Sequence, residues 1–206
     1  RFGYKFKNEN KEFGGYAILK NKKITLVMDV GPSPFSKFSE NYQSGALSFE
    51  INSNGKKLIS NCGYYNKDLK IKELSKSTAV HNTLIIDDNS SCSYKKEGRS
   101  NYIINDDLKI LKKNIIFEKN YWKIASSHDG YQKKYNSIHD REIEFFPEKY
   151  KFIGTDKILN KKNKFNIKFD IRFHFEPSVK LMKTQDNETI LIELEDEGWK
   201  FTCDNY

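Results

Sequence analysis

The chain has no apolar run approaching the eighteen or more residues that a membrane-crossing helix requires, so no membrane span is expected in its 206 residues. Cysteine is scarce: Cys62, Cys92 and Cys203 are an odd number without paired spacing. That excludes a disulfide framework and a zinc ribbon, leaves one bridge open, and gives no reading of redox compartment. Arginine is scarcer still for so basic a chain. Lys and Arg total 36 against 28 Asp and Glu, a net charge of +8, yet only Arg1, Arg99, Arg141 and Arg172 are arginines. Nucleic-acid recognition leans on arginine forks and a recognisable module, and neither is present. The excess charge favours an acidic partner through long-range attraction. The abundance of Lys, Asn, Ile, Phe and Tyr is equally the mark of a genome-wide codon bias. No Ser/His/Asp arrangement, phosphate loop or dinucleotide fingerprint can be found. No helical stripe exceeds a couple of turns; residues Leu69 to Lys76 are the one candidate, with a loop the alternative.

What the chain does have is strand pattern. Leu47, Phe49 and Ile51 alternate with Ser48, Glu50 and Asn52, the period of a half-buried strand. Asn54-Gly55 then turns the chain into Lys57 to Asn61, and Asn-Gly between two such runs signals a tight hairpin because both residues tolerate positive φ. Leu84-Ile85-Ile86 follows the polar Ser77 to Thr83 stretch. Gly15 to Leu19 and Lys23 to Val30 read as an earlier hairpin, broken at Gly31-Pro32-Ser33-Pro34, and Phe35 to Ser44 as a loop. Downstream, strands are expected at Tyr102 to Ile104, Leu108 to Leu111, Ile115 to Lys119, Tyr121 to Ser127, Ser137 to Phe146 and Lys151 to Gly154, with a solvated loop from Lys157 to Lys164. Phe165 to Phe175 places six apolar residues on one parity and is the most strongly patterned strand. Val179 to Lys183, Thr189 to Glu195 and Trp199 to Cys203 complete a meander, with turns at Gln185-Asp186-Asn187 and Glu197-Gly198. Many short strands separated by turn signals, with no linker or repeat, predict one all-β domain over 1–206, an antiparallel β-sandwich. The chain starts at Arg1 and stops just after a strand, so a piece of a longer protein is expected.

The order of these pieces carries a resemblance. Ala46-Leu47-Ser48-Phe49-Glu50-Ile51, Asn54-Gly55, Leu58-Ile59-Ser60-Asn61-Cys62-Gly63 and Ser77 through Asp87 resemble the β-sandwich of the heparinase II/III-like polysaccharide lyases. Gly15 to Leu19, Asp29-Val30-Gly31-Pro32, His128-Asp129-Gly130-Tyr131, His139-Asp140-Arg141, Gly154-Thr155-Asp156 and Ile171 to His174 are similar to that family too, so the likeness spans nearly the whole chain. It implies a sandwich that follows an N-terminal α/α toroid, absent from these residues. It also implies β-elimination on a uronate-containing polysaccharide such as a glycosaminoglycan or alginate, in the periplasm or cell envelope. In that chemistry a base takes the proton α to the carboxylate, an acid protonates the leaving oxygen, and a third group neutralises the carboxylate.

The resemblance also assigns candidate residues. Family members carry a His-x-His before the Ala-Leu-Ser-Phe-Glu motif, one histidine catalytic and one a zinc ligand, plus an acidic ligand and a further histidine. Those places hold Asn41, Gln43, Asn61 and His81, and only His81 matches. One imidazole with neutral amides is a poor zinc set, so no metal or other cofactor is expected. His81 either lines the substrate cleft as a catalytic group or caps backbone groups at its turn. Tyr42 is a candidate substitute acid or base, or an aromatic that packs the loop or stacks on a sugar. Asn41, Gln43, Asn61, Arg141 and His128 are candidate substrate contacts, Arg141 as a carboxylate partner of Glu144 or of a uronate. His128 and Asp129 point to opposite faces of a strand and cannot form a dyad; His174 reads as solvated. The expected partners are an acidic polysaccharide and the toroid of the same parent chain, with no nucleic acid. The competing classes are a non-catalytic family member whose sandwich binds or braces, and an independent carbohydrate-binding module.

Overall fold

In the computed structural model, residues 11–65, 67–98, 101–160, 167–185 and 188–204 are described. The chain opens with an antiparallel five-stranded sheet of β1 (Glu12–Phe13), β2 (Tyr16–Lys20), β3 (Ile24–Asp29), β4 (Phe49–Ser53) and β5 (Lys56–Ile59), paired in sequence order. The expected hairpin joins the last two: Ser53 pairs with Lys56, and Asn54 and Gly55 both sit at positive φ, 46° and 80°. Leu47, expected inside that strand, has φ 59° and its N–H bonds to the Asp29 carbonyl, so the ladder begins only at Phe49.

Helix α1 (Leu69–Ser75) forms where loop and helix were both open, because Asp68 caps it, its Oδ1 accepting from the Lys70 and Ile71 N–H groups at 2.8 and 3.1 Å. Strand β6 (Leu84–Ile86) follows, then the hairpin of β7 (Tyr94–Glu97) and β8 (Asn101–Ile104). β7 is missed by the sequence because its residues are mostly polar and exposed. The second large sheet is β9 (Ile110–Phe117), β10 (Trp122–His128), β11 (Ser137–Phe146) and β12 (Lys151–Asn160), again paired in order. A single-turn helix α2 (Gln132–Tyr135), too short to show a period, lies between β10 and β11.

Two expectations are corrected in this sheet. The two short strands expected from Leu108 to Lys119 are one continuous β9, and Lys157 to Asn160, expected in a loop, extends β12 because all ten residues of β11 find partners along it. The rest of that expected loop lies outside the described residues.

The most strongly patterned segment is also corrected. β13 covers only Phe169–Ile171, pairing with β6; Phe165 lies outside the described residues. Beyond it the chain bonds singly to different neighbours: Arg172 N–H to the Thr83 carbonyl, Ser60 N–H to the His174 carbonyl, and Glu176 N–H to the Leu58 carbonyl. The apolar parity survives without a ladder, since Phe173 and Phe175 pack on the main core. The chain closes with the expected meander, β14 (Lys180–Lys183), β15 (Thr189–Leu194) and β16 (Glu197–Thr202), although the last turn falls before Glu197, with Glu195 at φ 49°. Of the expected Gln185-Asp186-Asn187 turn, the last two residues lie outside the described ones.

One core joins these layers. Ala17, Leu19, Leu26, Met28, Phe49 and Ile51 on the inner face of the first sheet meet Trp122, Ile124, Ile143 and Phe145 of the second, with Ile192 and Leu194 of the meander closing one side. The fold is thus the expected antiparallel β-sandwich. Strand alternation turns Tyr16, Val27, Asp29 and Glu50 to the outer face of the first sheet, where the site is built.

Candidate functional site

Register brings that outer face together. Tyr16 lies opposite Asp29 on β2 and β3, and Val27 lies opposite Glu50 on β3 and β4. The loop through Asn41, Tyr42, Gln43 and Gly45, the turn bearing His81, and Asn61 with Gly63 after β5 wall in a pocket of about 330 Å³ above them. Asn41, Tyr42, Gln43, Asn61 and His81, far apart in sequence, therefore share one cavity; Arg141 and His128 do not border it.

His81 is 3 % exposed, and its Nε2 lies 3.3 Å from the Ser75 carbonyl. A carbonyl can only accept, so that nitrogen carries the proton and Nδ1 keeps its lone pair. Nδ1 has no protein partner among the described residues. Gly45 sits against it: a Cβ there would lie 3.3 Å from Nδ1 and 3.1 Å from Ser48 Oγ, so a side chain would crowd the imidazole's edge. Burial pulls the His81 pKa down to about 4, with the Ser75 bond opposing the shift, so the ring is neutral at pH 7.

The loop over the pocket is pinned by a buried cation. Lys76, 3 % exposed, donates from Nζ to the carbonyls of Glu40 and Tyr42 and lies 4.9 Å from the centre of the Tyr94 ring. Tyr94 in turn donates to the Tyr42 carbonyl at 3.1 Å. The Tyr42 hydroxyl is a different matter. Its ring packs beside Ala46, Cys92, Ile104 and Leu108, and the hydroxyl is buried with no hydrogen bond of ordinary geometry. Burial pushes its pKa well above the usual phenol value, which fits the packing role for Tyr42 and disfavours the acid–base one.

The amides are engaged with the protein itself. Gln43 donates to the Gly63 carbonyl at 2.8 Å, and Asn41 accepts from the Tyr64 hydroxyl at 2.8 Å. Asn61 Oδ1 accepts from both the backbone and side-chain N–H of Asn82, at 2.8 and 3.1 Å, and its own N–H donates to Glu50 Oε1 at 3.0 Å. Among the described residues no three His, Cys, Asp or Glu side chains converge on a metal-sized site. Of Asn41, Gln43, Asn61 and His81 only the last offers an imidazole, thiolate or carboxylate donor, so these four do not fit zinc.

Arg141 and His128 require correction as substrate contacts, for each is 1 % exposed. The Arg141 partner is neither Glu144 nor an outside carboxylate but Asp156 on β12, held by two bonds of 2.7 and 2.9 Å. The same guanidinium donates to the carbonyls of Leu47 and Asn82 at 3.0 and 2.6 Å. Asp156 also accepts from His139 Nε2 at 2.6 Å; His139 Nδ1 lies 3.2 Å from His128 Nε2, and His128 Nδ1 accepts the Gly130 N–H at 3.0 Å. That last bond fixes every proton: His128 donates to His139, which donates to Asp156. Both rings are buried neutral, desolvation being the first cause that lowers their pKa values. His174 is corrected as well, because its N–H and ring meet Asn82 Oδ1 instead of solvent alone.

Sequence reasoning passed over the pocket's ionisable floor. Asp29 is partly buried, and desolvation raises its pKa to about 7 against the lowering effect of the Gly31 N–H bond. Tyr16 is raised by burial first and then by Asp29 and Glu50. All three stood inside the quoted motifs, but only the strand register reveals that they face the same cavity as His81.

An antiparallel sandwich with a polar pocket on an outer sheet face defines the class of domain. The model of the family described as "Heparinase II/III-like, C-terminal" matches residues 10–206, and the chain belongs to that family. Among solved structures it is similar to a heparinase III gene product at 18% identity and TM-score 0.64, covering 88% of this chain, and to the same protein with methylated lysines at 18% identity and TM-score 0.66, covering 90%. The chain spans 26% of the length of either, and at that identity the likeness shows the fold alone. No curated protein matches.

Proposed function

We propose that this chain is the β-sandwich of a polysaccharide lyase that cleaves an acidic, uronate-containing polysaccharide by β-elimination, forming one wall of a cleft completed by an N-terminal toroid of the same protein. The observation that carries the reading is His81: a buried, neutral imidazole that lines an open pocket, its proton tied to Ser75 and its Nδ1 without a protein partner among the described residues. Such a nitrogen is poised to accept a proton, from the sugar or from a neighbouring acid. Asp29, able to hold or release a proton near pH 7, is a second group of the kind the chemistry needs. Family membership supports the substrate class, and the periplasm or cell envelope is the compartment the reading implies.

The test is the unsaturated-uronate absorbance that elimination creates, measured with the full-length protein on heparin, heparan sulfate and alginate. His81→Ala is expected to lower turnover by about a hundredfold or more, the usual effect of removing a general acid or base. If His81 only caps its turn, the variant instead loses about 1 kcal/mol of stability and keeps the activity of its folded fraction. The 206 residues alone are expected to be inactive. A second reading, a family member that binds without cleaving, is favoured by the neutral amides Asn41, Gln43 and Asn61, all committed to internal hydrogen bonds.

A further inference from the structure

The pocket's local charge opposes that of the chain. Among the described residues no Lys or Arg lines it, whereas Asp29 and Glu50 do. Neither carboxylate is in an ion pair among the described residues: Asp29 Oδ1 accepts the Gly31 N–H at 3.1 Å, Glu50 Oε1 accepts the Asn61 N–H, and the second oxygen of each has no protein donor. Both line the same cavity as Tyr16. Asp29 and Glu50 are diagonal neighbours on adjacent strands, since Glu50 pairs with Val27, and such positions lie about 7–8 Å apart, a span one small cation can bridge with long side chains. His81, 3 % exposed, lines the same cavity, and its Nδ1 has no protein partner among the described residues.

A uronate carboxylate or a sulfate entering here would meet the Glu50 carboxylate, joined by that of Asp29 above about pH 7, and no Lys or Arg among the described lining residues, an arrangement that costs affinity. A neutral ring would leave both carboxylates without a countercharge. We propose that this pocket binds an amine-bearing sugar, an unsubstituted hexosamine whose ammonium group sits between Asp29 and Glu50, and that the neighbouring uronate lies outside it. The inference rests on reading the pocket as a sugar subsite of the proposed lyase. It places the group that neutralises the uronate elsewhere, beyond the pocket's lining.

Isothermal titration of the full-length protein with tetramers of glucosamine, N-acetylglucosamine and uronate tests this. The glucosamine tetramer is expected to bind at least about tenfold more tightly than the other two, a modest charge-pair advantage. Glu50→Gln and Asp29→Asn should each remove most of that margin; both are isosteric and keep the acceptor used by Asn61 or Gly31, and a thermal melt confirms that each is folded. Equal binding of the acetylated tetramer, tighter binding of the uronate, no binding of any tetramer, or an amine preference that survives in both variants would overturn the proposal. Elimination without amine preference sinks the inference and leaves the lyase reading standing; amine preference without elimination does the reverse.

Discussion

Two polar assemblies lie on either side of the Leu47 and Asn82 backbone, and they are built to opposite rules. On one side Arg141, Asp156, His139 and His128 form a buried chain in which every nitrogen and oxygen has a partner and every proton is assigned. On the other, the pocket groups His81, Asp29 and Glu50 each keep an atom without a partner among the described residues. A buried polar network that is fully satisfied holds structure, and one with vacant acceptors beside a cavity is arranged for something that arrives from outside. Histidine and arginine, by residue type alone, look like chemistry in both places, and only their bonding tells the two apart.

Breaking the satisfied side should have the largest effect. Arg141→Met leaves Asp156 as an uncompensated buried charge and also frees the Leu47 and Asn82 carbonyls, and is expected to cost about 3–5 kcal/mol in urea unfolding. A loss below about 1 kcal/mol, the scale of an exposed pair, would erase the distinction between the two regions.

The pH dependence should sharpen it. The pKa values of His128, His139 and His81 are all lowered from 6.5 in the fold, so the unfolded chain binds more protons as pH falls below that value. Their contribution is full above pH 6.5 and is lost progressively on acidification, the His81 part levelling off near pH 4. Asp156, held low by Arg141 and His139 against its own desolvation, adds a loss that begins below pH 3.8. Asp29 has the opposite sign: raised from 3.8 to about 7, it makes the fold less stable as pH rises between those values. Asp29→Asn should therefore raise the melting temperature at pH 8 and leave it nearly unchanged at pH 3.5, whereas the wild-type chain loses stability from pH 6.5 downward. A melting profile flat between pH 6.5 and 4.5 in Asp29→Asn would count against the buried neutral histidines.

The smallest effect is expected at the cap of α1. Asp68→Ala removes the acceptor for two N–H groups and should cost about 1 kcal/mol. Because α1 ends at Ser75, whose carbonyl fixes the His81 tautomer, a fall in turnover larger than the loss of folded protein would tie the pocket wall to this helix.

Much of the strand order was legible because it depends on local chemistry. Asn54-Gly55 forces a hairpin wherever it occurs between alternating runs, and Tyr16 to Lys20, Ile24 to Asp29 and Ser137 to Phe146 show their buried parity in the residues themselves. Phe165 to Phe175 misled for an instructive reason: period two says which residues face the core, not whether a partner strand is there to bond. The converse holds for β7 and the end of β12, polar segments recruited into sheets by their neighbours.

The sequence by itself determined the all-β class, the hairpins and the family, since alternation, turn residues and motif order survive without a third dimension. It also brought forward Asn41, Tyr42, Gln43, Asn61 and His81. Only the tertiary structure decided which of the charged residues share a cavity. Asp156 stands fifteen residues from Arg141 and Glu50 thirty-one from His81, and it is register between strands, with burial, that puts the first pair in the dark and the second beside open space. Whether an ionisable group serves stability or chemistry depends on whether its bonds are already made, and that is a property of the surroundings that no residue carries alone.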